Sequence, residues 1–249
     1  MIEIVNLKKK FNNNWVSDGI NLNIPKGKIT CIIGRSGEGK SVLLKQIMGL
    51  IRPTSGNIII DGIDITKLRE KDLEPIFKKC GYVFQFAALL DSLNIFENVG
   101  LSLLEHGYDE EEVLKIVKEK LALVNLGEEI LYKYPSELSG GMRKRVGIAR
   151  TLITDPEIIL YDEPTTGLDP INARVVHELM YNMQKKLNVT SVLISHDIEV
   201  FKYVDYVALL HAGKIRYFEQ ASSILESNNP YIYQFVRGLI NGPIQPDHK

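Results

Sequence analysis

The sequence lacks the features that would place it outside the cell or within a membrane. Only two of its 249 residues are cysteines, too few for the disulfide frameworks of small secreted domains. No stretch approaches the roughly 18 apolar residues of a membrane-spanning helix, and the first residues lack the basic and apolar regions of a secretory signal. We therefore expect a cytosolic chain in which Cys31 is a buried hydrophobic residue and forms no disulfide with Cys80.

The chain also lacks a charge excess of either sign. It has 30 lysine and arginine residues and 31 aspartate and glutamate residues, for a formal net charge of -1. Nucleic-acid-binding domains carry a basic patch or stripe, so we expect no nucleic acid partner. Apolar residues make up 45% and charged residues 24% of the sequence, as in soluble globular proteins.

Short apolar runs that alternate with helical patterns predict an α/β fold. Runs of this length without polar alternation are typical of strands covered on both faces. Residues 2–65 contain turn signals and predict antiparallel strands, whereas residues 86–154 predict helices, most clearly Asp109–Leu126. The predicted buried strands are Ile29–Ile33, Tyr82–Phe84, Ile158–Tyr161, Ser191–Ile194 and Val207–Leu210.

A phosphate-binding loop follows the first of these strands. Gly34–Ser41, hereafter the P-loop, fits the pattern G-x-x-x-x-G-K-[ST] and leads into the helical run Val42–Met48. Its amides and the helix N-terminus would hold phosphates, with Lys40 on the β- and γ-phosphates and Ser41 on Mg²⁺. The alternative is a glycine-rich turn with a surface lysine, which composition would give on the order of once in a hundred such chains. The predicted nucleotide-binding residues are Gly34, Arg35, Ser36, Gly37, Glu38, Gly39, Lys40, Ser41 and Val42.

Polar side chains follow three of the other predicted strands. Asp162 and Glu163 follow the apolar run at residues 158–161. Because adjacent side chains of a strand point in different directions, Asp162 would face the hydrated Mg²⁺ and Glu163 the attacking water. Gln85 could ligate Mg²⁺ or contact that water, and His196 could hydrogen-bond the γ-phosphate. Taken singly, each has a plainer interpretation as a solvated strand end or an exposed side chain. Together with the P-loop, these residues predict catalytic Glu163, His196 and Gln85 and the metal ligands Ser41, Gln85 and Asp162.

The segment Leu138-Ser139-Gly140-Gly141-Met142 resembles the signature motif of ABC ATPases. The resemblance implies ATP and Mg²⁺ as cofactors and a head-to-tail homodimer, in which the signature of one copy closes over ATP on the P-loop of the other. It assigns Ser139, Gly140, Gly141, Met142 and Asp169 to that interface. Met142 stands where the family usually has glutamine. The resemblance also assigns Phe11 to stacking on adenine, although an aromatic residue at a strand end is often a core residue.

The same resemblance implies the fold and its subdivisions. It predicts a P-loop NTPase (RecA-like) core with an antiparallel β subdomain and an inserted α-helical signature subdomain. One ATPase domain would span residues 1–240, with residues 1–85 and 155–218 as the core and residues 86–154 as the signature subdomain. Residues 219–249 would form a C-terminal tail, in which Tyr231, Phe235 and Leu239 recur at helical spacing. That tail would pack on its own domain or reach a neighbouring subunit.

Three segments, Gln85–Val99, Leu138–Arg150 and the tail from Asn229, resemble the ATPases of Mla-type phospholipid transporters that work with MCE proteins. This narrower resemblance implies integral membrane permease subunits, an MCE-domain protein and a small STAS-type regulatory protein as partners. It also implies attachment to the inner membrane through the permease. The alternatives are an ABC ATPase for amino acids or lipoproteins, and a non-transport ABC ATPase acting on ribosomes or DNA. A structural subunit with dead sites is disfavoured by Lys40, Asp162, Glu163 and His196.

Overall fold

The computed structural model describes residues 1–245, and the last four residues of the predicted C-terminal tail lie outside that range. The described chain contains ten strands and seven α-helices. The strands are β1 (Ile2–Phe11), β2 (Asn14–Ile24), β3 (Ile29–Ile33), β4 (Ser55–Ile60), β5 (Ile63–Asp64), β6 (Cys80–Val83), β7 (Ile158–Asp162), β8 (Thr190–Ile194), β9 (Tyr206–His211) and β10 (Lys214–Gln220). The helices are α1 (Lys40–Ile47), α2 (Glu74–Lys79), α3 (Ile95–Glu105), α4 (Glu110–Leu123), α5 (Gly140–Thr151), α6 (Pro170–Leu187) and α7 (Pro230–Arg237).

The chain forms two compact units. Residues 1–77 and the chain from residue 190 onward form the first unit, and residues 78–189 form the second. The predicted helical segment, residues 86–154, falls inside the second unit. Among residues 1–245, no helix has both the length and the apolar character needed to cross a membrane.

An antiparallel sheet of order β2-β1-β4-β5 occupies part of the first unit. Ile2 pairs with Ile24 on one side and with Ile60 on the other, and all three side chains are buried. The prediction that antiparallel strands flank the strand at Ile29–Ile33 within residues 2–65 is confirmed, since β3 belongs to a different sheet. That second sheet carries the P-loop.

In the first unit, the second sheet runs in the order β10-β9-β3-β8. β3 is parallel to both β8 and β9, and β9 pairs with β10 as an antiparallel hairpin. All five residues of β3 and all five of β8 are buried, as expected of strands covered on both faces. Because β3 and β8 are adjacent and parallel, Gly34 and Ser195 leave the sheet at the same edge.

Cys31 and Cys80 are both buried, and they form no disulfide with each other. Burial raises the pKa of the Cys31 thiol above its usual range. A buried thiol of this kind stays protonated and unreactive at neutral pH. Cys31 therefore behaves as a small core residue of β3.

The second unit joins a parallel strand pair to a group of helices. β6 and β7 pair in parallel with Val83 opposite Tyr161, so that the segments after both strands leave at one edge. Helix α3 packs on α4 and α5. The start of α4 is fixed by Asp109, whose carboxylate accepts hydrogen bonds from the amides of Glu111 and Glu112, as the acidic start of the predicted helix indicated.

A buried glutamine closes the C-terminal tail on itself, and α7 also contacts β10 of the first unit. Gln234 Nε2 donates to the Ile244 carbonyl oxygen at 2.8 Å, and the Ile244 amide donates to Gln234 Oε1 at 2.8 Å. The predicted short helix is present, with Tyr231 and Phe235 half-buried. The prediction was wrong at Leu239, because α7 ends at Arg237 where Gly238 takes a left-handed conformation, and the fully buried residues of α7 are Ile232 and Gln234. The described tail therefore belongs structurally to its own unit.

Asn98, a fully buried residue of α3, provides a test of how the segment after β6 is held. Its Oδ1 accepts from the Leu90 amide at 2.8 Å, and its Nδ2 donates to the carbonyl oxygens of Leu90 and Leu93. Asn98→Ala leaves these main-chain groups without partners and should lower the free energy of unfolding by about 3 kcal/mol. Urea denaturation measures the change. The control Asn13→Ala, in an exposed turn, should change stability by about 0.5 kcal/mol or less, and equal losses in both variants would contradict this account.

Candidate functional site

The P-loop backbone approaches its neighbours so closely that side chains are excluded at two positions. A Cβ atom on Gly34 would lie 2.3 Å from the Leu210 carbonyl oxygen, and one on Gly39 would lie 2.2 Å from Val16 Cγ1. Gly39 also has a φ of 89°, which residues with a Cβ rarely adopt. Glycine is therefore required at both positions by sterics, in agreement with the predicted motif.

Lys40 places a buried ammonium at the centre of this loop. Its side chain is 4% exposed, and Nζ donates to the carbonyl oxygens of Gly34 at 2.9 Å and Arg35 at 2.7 Å. α1 begins at Lys40, so the N-terminal amides of the helix and the positive end of its dipole lie beside the ammonium. This concentration of positive charge and N–H donors suits an anionic phosphate.

His196 leaves the sheet beside the P-loop. β3 and β8 are paired with Ile32 opposite Ile194, and the Ser195 amide donates to the Ile32 carbonyl oxygen at 3.4 Å. The Asp197 amide in turn donates to Ser195 Oγ at 3.0 Å. The first unit therefore brings the exposed His196 and the P-loop to one edge.

Asp162, the last residue of β7, is buried and accepts a hydrogen bond from Tyr82 on the neighbouring strand β6. The Tyr82 hydroxyl lies 2.8 Å from Asp162 Oδ2. Burial first, and then the hydrogen bond to Asp162, raise the pKa of the Tyr82 phenol above its usual range, so it stays a donor. Tyr82 thus orients the carboxylate that we predicted to hold Mg²⁺. Sequence analysis missed this role, although a buried tyrosine hydroxyl normally needs a partner.

The Glu163 side chain contacts other residues than Asp162 does. Its Oε2 lies 3.4 Å from Gln85 Nε2 and 3.1 Å from Thr166 Oγ1, and both of these groups donate to it. The Glu163 backbone has a φ of 49°, a left-handed conformation that is uncommon for glutamate. Such strained residues concentrate at functional sites. The second unit therefore brings together the predicted residues Gln85 and Glu163 and adds Thr166, which sequence analysis did not single out.

Lys144 on α5 also contacts the group formed by Gln85 and Glu163. It is 8% exposed, and its Nζ donates to the Gln85 carbonyl oxygen and lies 6.0 Å from the centre of the Phe86 ring. Burial lowers the pKa of the Lys144 ammonium, and the Glu163 carboxylate opposes that shift. Sequence analysis missed Lys144 because, within Arg143-Lys144-Arg145, it reads as one of several surface cations on a helix. Only the fold buries it.

The segment resembling a signature motif forms the start of α5. Ser139 is the N-cap, and its exposed Oγ accepts from the Met142 amide at 3.2 Å. A Cβ atom on Gly141 would lie 3.1 Å from Asn172 Oδ1. Asp169 caps α6 in the same way, and its hydrogen bonds, first of all with the Asn172 side chain, lower the pKa of its carboxyl group. Within the second unit these residues are ordered by helix capping and by contact with Asn172.

Phe11 ends β1 and is 42% exposed, with Lys9 Nζ 4.8 Å from the centre of its ring. A second exposed aromatic residue, Trp15, lies across the same turn, with Lys8 and Lys10 ammonium groups within 6 Å of its ring. Phe11 is therefore a half-exposed ring rather than a core residue, as adenine stacking requires. That role stays a prediction.

A family model described as ABC transporter matches residues 17–166, which is more than half of the chain. The chain belongs to the ABC transporter family. The match includes the P-loop, the residues from Gln85 to Glu163 and the signature segment.

Relatives of this ABC ATPase match it along nearly its whole length. The Haemophilus influenzae intermembrane phospholipid transport system ATP-binding protein MlaF is 39% identical over 98% of this chain and 93% of that protein. The Mycobacterium tuberculosis probable ribonucleotide transport ATP-binding protein mkl is 40% identical over 98% of this chain and 68% of that protein. The Rhizobium etli methionine import ATP-binding protein MetN is 39% identical over 100% of this chain and 68% of that protein.

Solved structures of ATP-binding cassettes share the fold. A dimeric cassette in a post-hydrolysis state bound to ADP and Pi superimposes with a TM-score of 0.81 at 33% identity, over 89% of this chain and 99% of that one. The Clostridium perfringens protein cbiO1, part of an ABC transporter complex, has a TM-score of 0.84 at 28% identity, over 95% and 94% of the two chains. The predicted P-loop NTPase fold is confirmed, and the chain is an ABC-type ATPase.

Lys144 provides a test of the arrangement in the second unit. Lys144→Met keeps the length of the side chain but leaves the Gln85 carbonyl without its donor, so the segment carrying Gln85 loses a fixed position. We expect kcat for ATP hydrolysis to fall about tenfold or more with little change in KM, because small misplacements of catalytic groups are costly.

Lys144→Arg retains a donor and should recover part of the lost kcat. The matched control Lys115→Met alters an exposed lysine of α4 and should behave like the unaltered protein. Steady-state phosphate release measures all three, and a wild-type kcat in Lys144→Met would contradict the assignment.

Proposed function

We propose that this ABC ATPase hydrolyses ATP to drive phospholipid transport in the bacterial envelope. The observation that carries the proposal is the end-to-end match to the H. influenzae phospholipid transport ATPase, which spans 98% of this chain and 93% of that protein. The resemblance of residues 85–99, residues 138–150 and the tail to Mla-type ATPases supports the same conclusion. The protein would work in the cytoplasm, attached to the inner membrane through a permease.

In this proposal, the P-loop binds the nucleotide. Its amides and the start of α1 hold the phosphates, and Lys40 exchanges the carbonyl oxygens of Gly34 and Arg35 for phosphate oxygens. The predicted metal ligands Ser41, Gln85 and Asp162 offer hydroxyl, amide and carboxylate oxygens, the hard donors that Mg²⁺ accepts. When bound, Mg²⁺ would neutralise charge on the β- and γ-phosphates.

Hydrolysis depends on Glu163 in this proposal. Its carboxylate accepts or orients the proton of the attacking water, and Gln85 and Thr166 fix the position of the carboxylate through Oε2. His196, at the same sheet edge as the P-loop, donates to the γ-phosphate. Tyr82 keeps Asp162 oriented toward its metal role.

We further propose that two copies act together. The cassette with bound ADP and Pi is dimeric, and in this chain the exposed Ser139 and Gly140 at the start of α5 offer a second set of amides for phosphate. Asp169 and Met142 would lie at the same interface. Closure of the dimer over ATP would drive the permease subunits, with an MCE-domain protein and a STAS-type protein as further partners.

The transported substrate is the finer part of the proposal. The R. etli relative is a methionine import protein of equal identity, so amino acid import is the alternative. This chain spans 93% of the phospholipid relative but 68% of the methionine relative. Agreement over the whole length favours the phospholipid assignment.

Two substitutions separate hydrolysis from binding. Glu163→Gln removes the proton acceptor and should lower kcat by about a hundredfold or more while MgATP binding persists. Lys40→Ala removes the buried cation and should weaken MgATP binding by about tenfold or more. Phosphate release and titration calorimetry measure the two effects. A Glu163→Gln protein that hydrolyses ATP at the wild-type rate, or a Lys40→Ala protein that binds it normally, would refute the corresponding role.

The substrate is tested by isolating the tagged chain with its membrane partners from native membranes. We expect a permease and an MCE-domain protein by mass spectrometry, together with bound phospholipid whose amount changes when MgATP is added. The same complex carrying Lys40→Ala is the control and should keep its lipid unchanged. Recovery of a solute-binding protein and an amino acid in place of lipid would assign the chain to the alternative.

A further inference from the structure

Glu38 introduces a negative charge into a loop that binds negative phosphates. The carboxylate is held at both of its oxygens. Glu38 Oε1 lies 2.8 Å from His211 Nδ1, and Glu38 Oε2 accepts from the Ala212 amide at 2.8 Å. Both side chains are largely buried, at 14% exposure for Glu38 and 16% for His211. We call these three residues the Glu38 clamp.

The direction of the hydrogen bonds follows from the chemistry of the groups. Carboxylate oxygens accept hydrogen bonds, so the His211 ring donates through Nδ1 in this contact. The Ala212 backbone amide can act only as a donor. Two donors therefore satisfy the Glu38 carboxylate and direct it toward the turn between β9 and β10.

The backbone conformation of that turn fixes the position of the Ala212 amide. Ala212 and Gly213 are the two residues between β9 and β10, with φ angles of 48° and 69°, as in the two-residue turns that join antiparallel strands. The left-handed region is unfavourable for alanine. The turn is also fixed to β2, since the Asp18 amide donates to the Gly213 carbonyl oxygen at 2.8 Å. An amide held in a strained, anchored turn is a rigid partner for Glu38.

The His211 ring is held by the C-terminal helix. Its centre lies 5.8 Å from that of the Tyr231 ring at the start of α7. The Arg216 guanidinium lies 5.5 Å from the same tyrosine ring, and Arg216 Nε donates to the His211 carbonyl oxygen at 3.4 Å. The orientation of His211 toward the P-loop therefore depends on β10 and α7.

We propose that His211 is a positioning residue for nucleotide binding. Together with the Ala212 amide, it keeps the Glu38 carboxylate on the β9–β10 turn, so that the P-loop presents amides and Lys40 to the phosphates without a competing negative charge. Released from the clamp, Glu38 repels the triphosphate. The inference rests on the proposed role of the P-loop, which Lys40→Ala tests separately.

The experiment compares His211→Ala, Glu38→Gln and the double variant in the full chain, with the magnesium complex of the non-hydrolysable analogue AMP-PNP as the probe. His211→Ala should weaken binding about fivefold or more, because a free carboxylate beside the phosphates raises the electrostatic cost. The double variant should bind within about twofold of the Glu38→Gln protein, since neither of these two variants carries the charge that His211 positions. His211→Asn, whose Nδ2 can replace the Nδ1 donor, should retain most of the affinity.

The double variant separates charge positioning from packing. If His211 only supported Tyr231, removing Glu38's charge would not restore binding in the His211→Ala background, and that result would overturn the proposal. Wild-type affinity in His211→Ala would also overturn it. Thermal unfolding checks that each variant folds, and His106→Ala, an exposed histidine of the second unit that contacts Ser102, is the matched control with unchanged affinity. Normal binding by Lys40→Ala would instead refute the role of the P-loop itself.

Discussion

The Leu210 carbonyl oxygen would lie 2.3 Å from a Cβ atom on Gly34, and Val16 Cγ1 would lie 2.2 Å from one on Gly39. This close packing sets the path of the P-loop, since no other residue type fits at either end of it. The contacts come from β9 and β2, two strands outside the loop. The path leads directly into α1, which begins at Lys40, and it starts where β3 ends beside β8. The surroundings of the loop therefore limit the positions that its backbone can take.

In both units, a buried lysine ammonium is stabilised by main-chain carbonyl oxygens. Lys40 in the first unit and Lys144 in the second are each nearly inaccessible, and each donates to main-chain carbonyl oxygens of a functional loop. A buried ammonium needs such partners, because desolvation without them is costly. Carbonyl oxygens are weaker partners than phosphate or carboxylate oxygens. In the proposed function, Lys40 would leave Gly34 and Arg35 for a phosphate, whereas Lys144 would act through the main chain of Gln85.

Local patterns predicted the parts of the molecule whose contacts are local. The motif from Gly34 to Ser41, the buried strands and the cap of α4 by Asp109 all follow from spacing and residue type within a few positions. The Glu38 clamp joins residues 173 positions apart, and Lys144 meets Gln85 across 59 positions. No periodicity predicts such pairs, and Lys144 differs from its neighbours only in burial. The wrong prediction at Leu239 has another cause. Gly238 is a recognised helix terminator, but the helical spacing of apolar residues was extended past it to Leu239.

The C-terminal segment is part of the frame that holds the P-loop. His211 and Ala212 bind Glu38 near one end of the loop, and the Arg35 guanidinium donates to the Gln245 carbonyl oxygen at 2.5 Å near the other. The second contact is itself secured by Gln234, which bonds to both the amide and the carbonyl of Ile244. Lys40 Nζ donates to the Arg35 carbonyl oxygen, so Arg35 links the buried ammonium to the tail. A displacement of Lys40 would therefore act on the same residue whose guanidinium holds the tail.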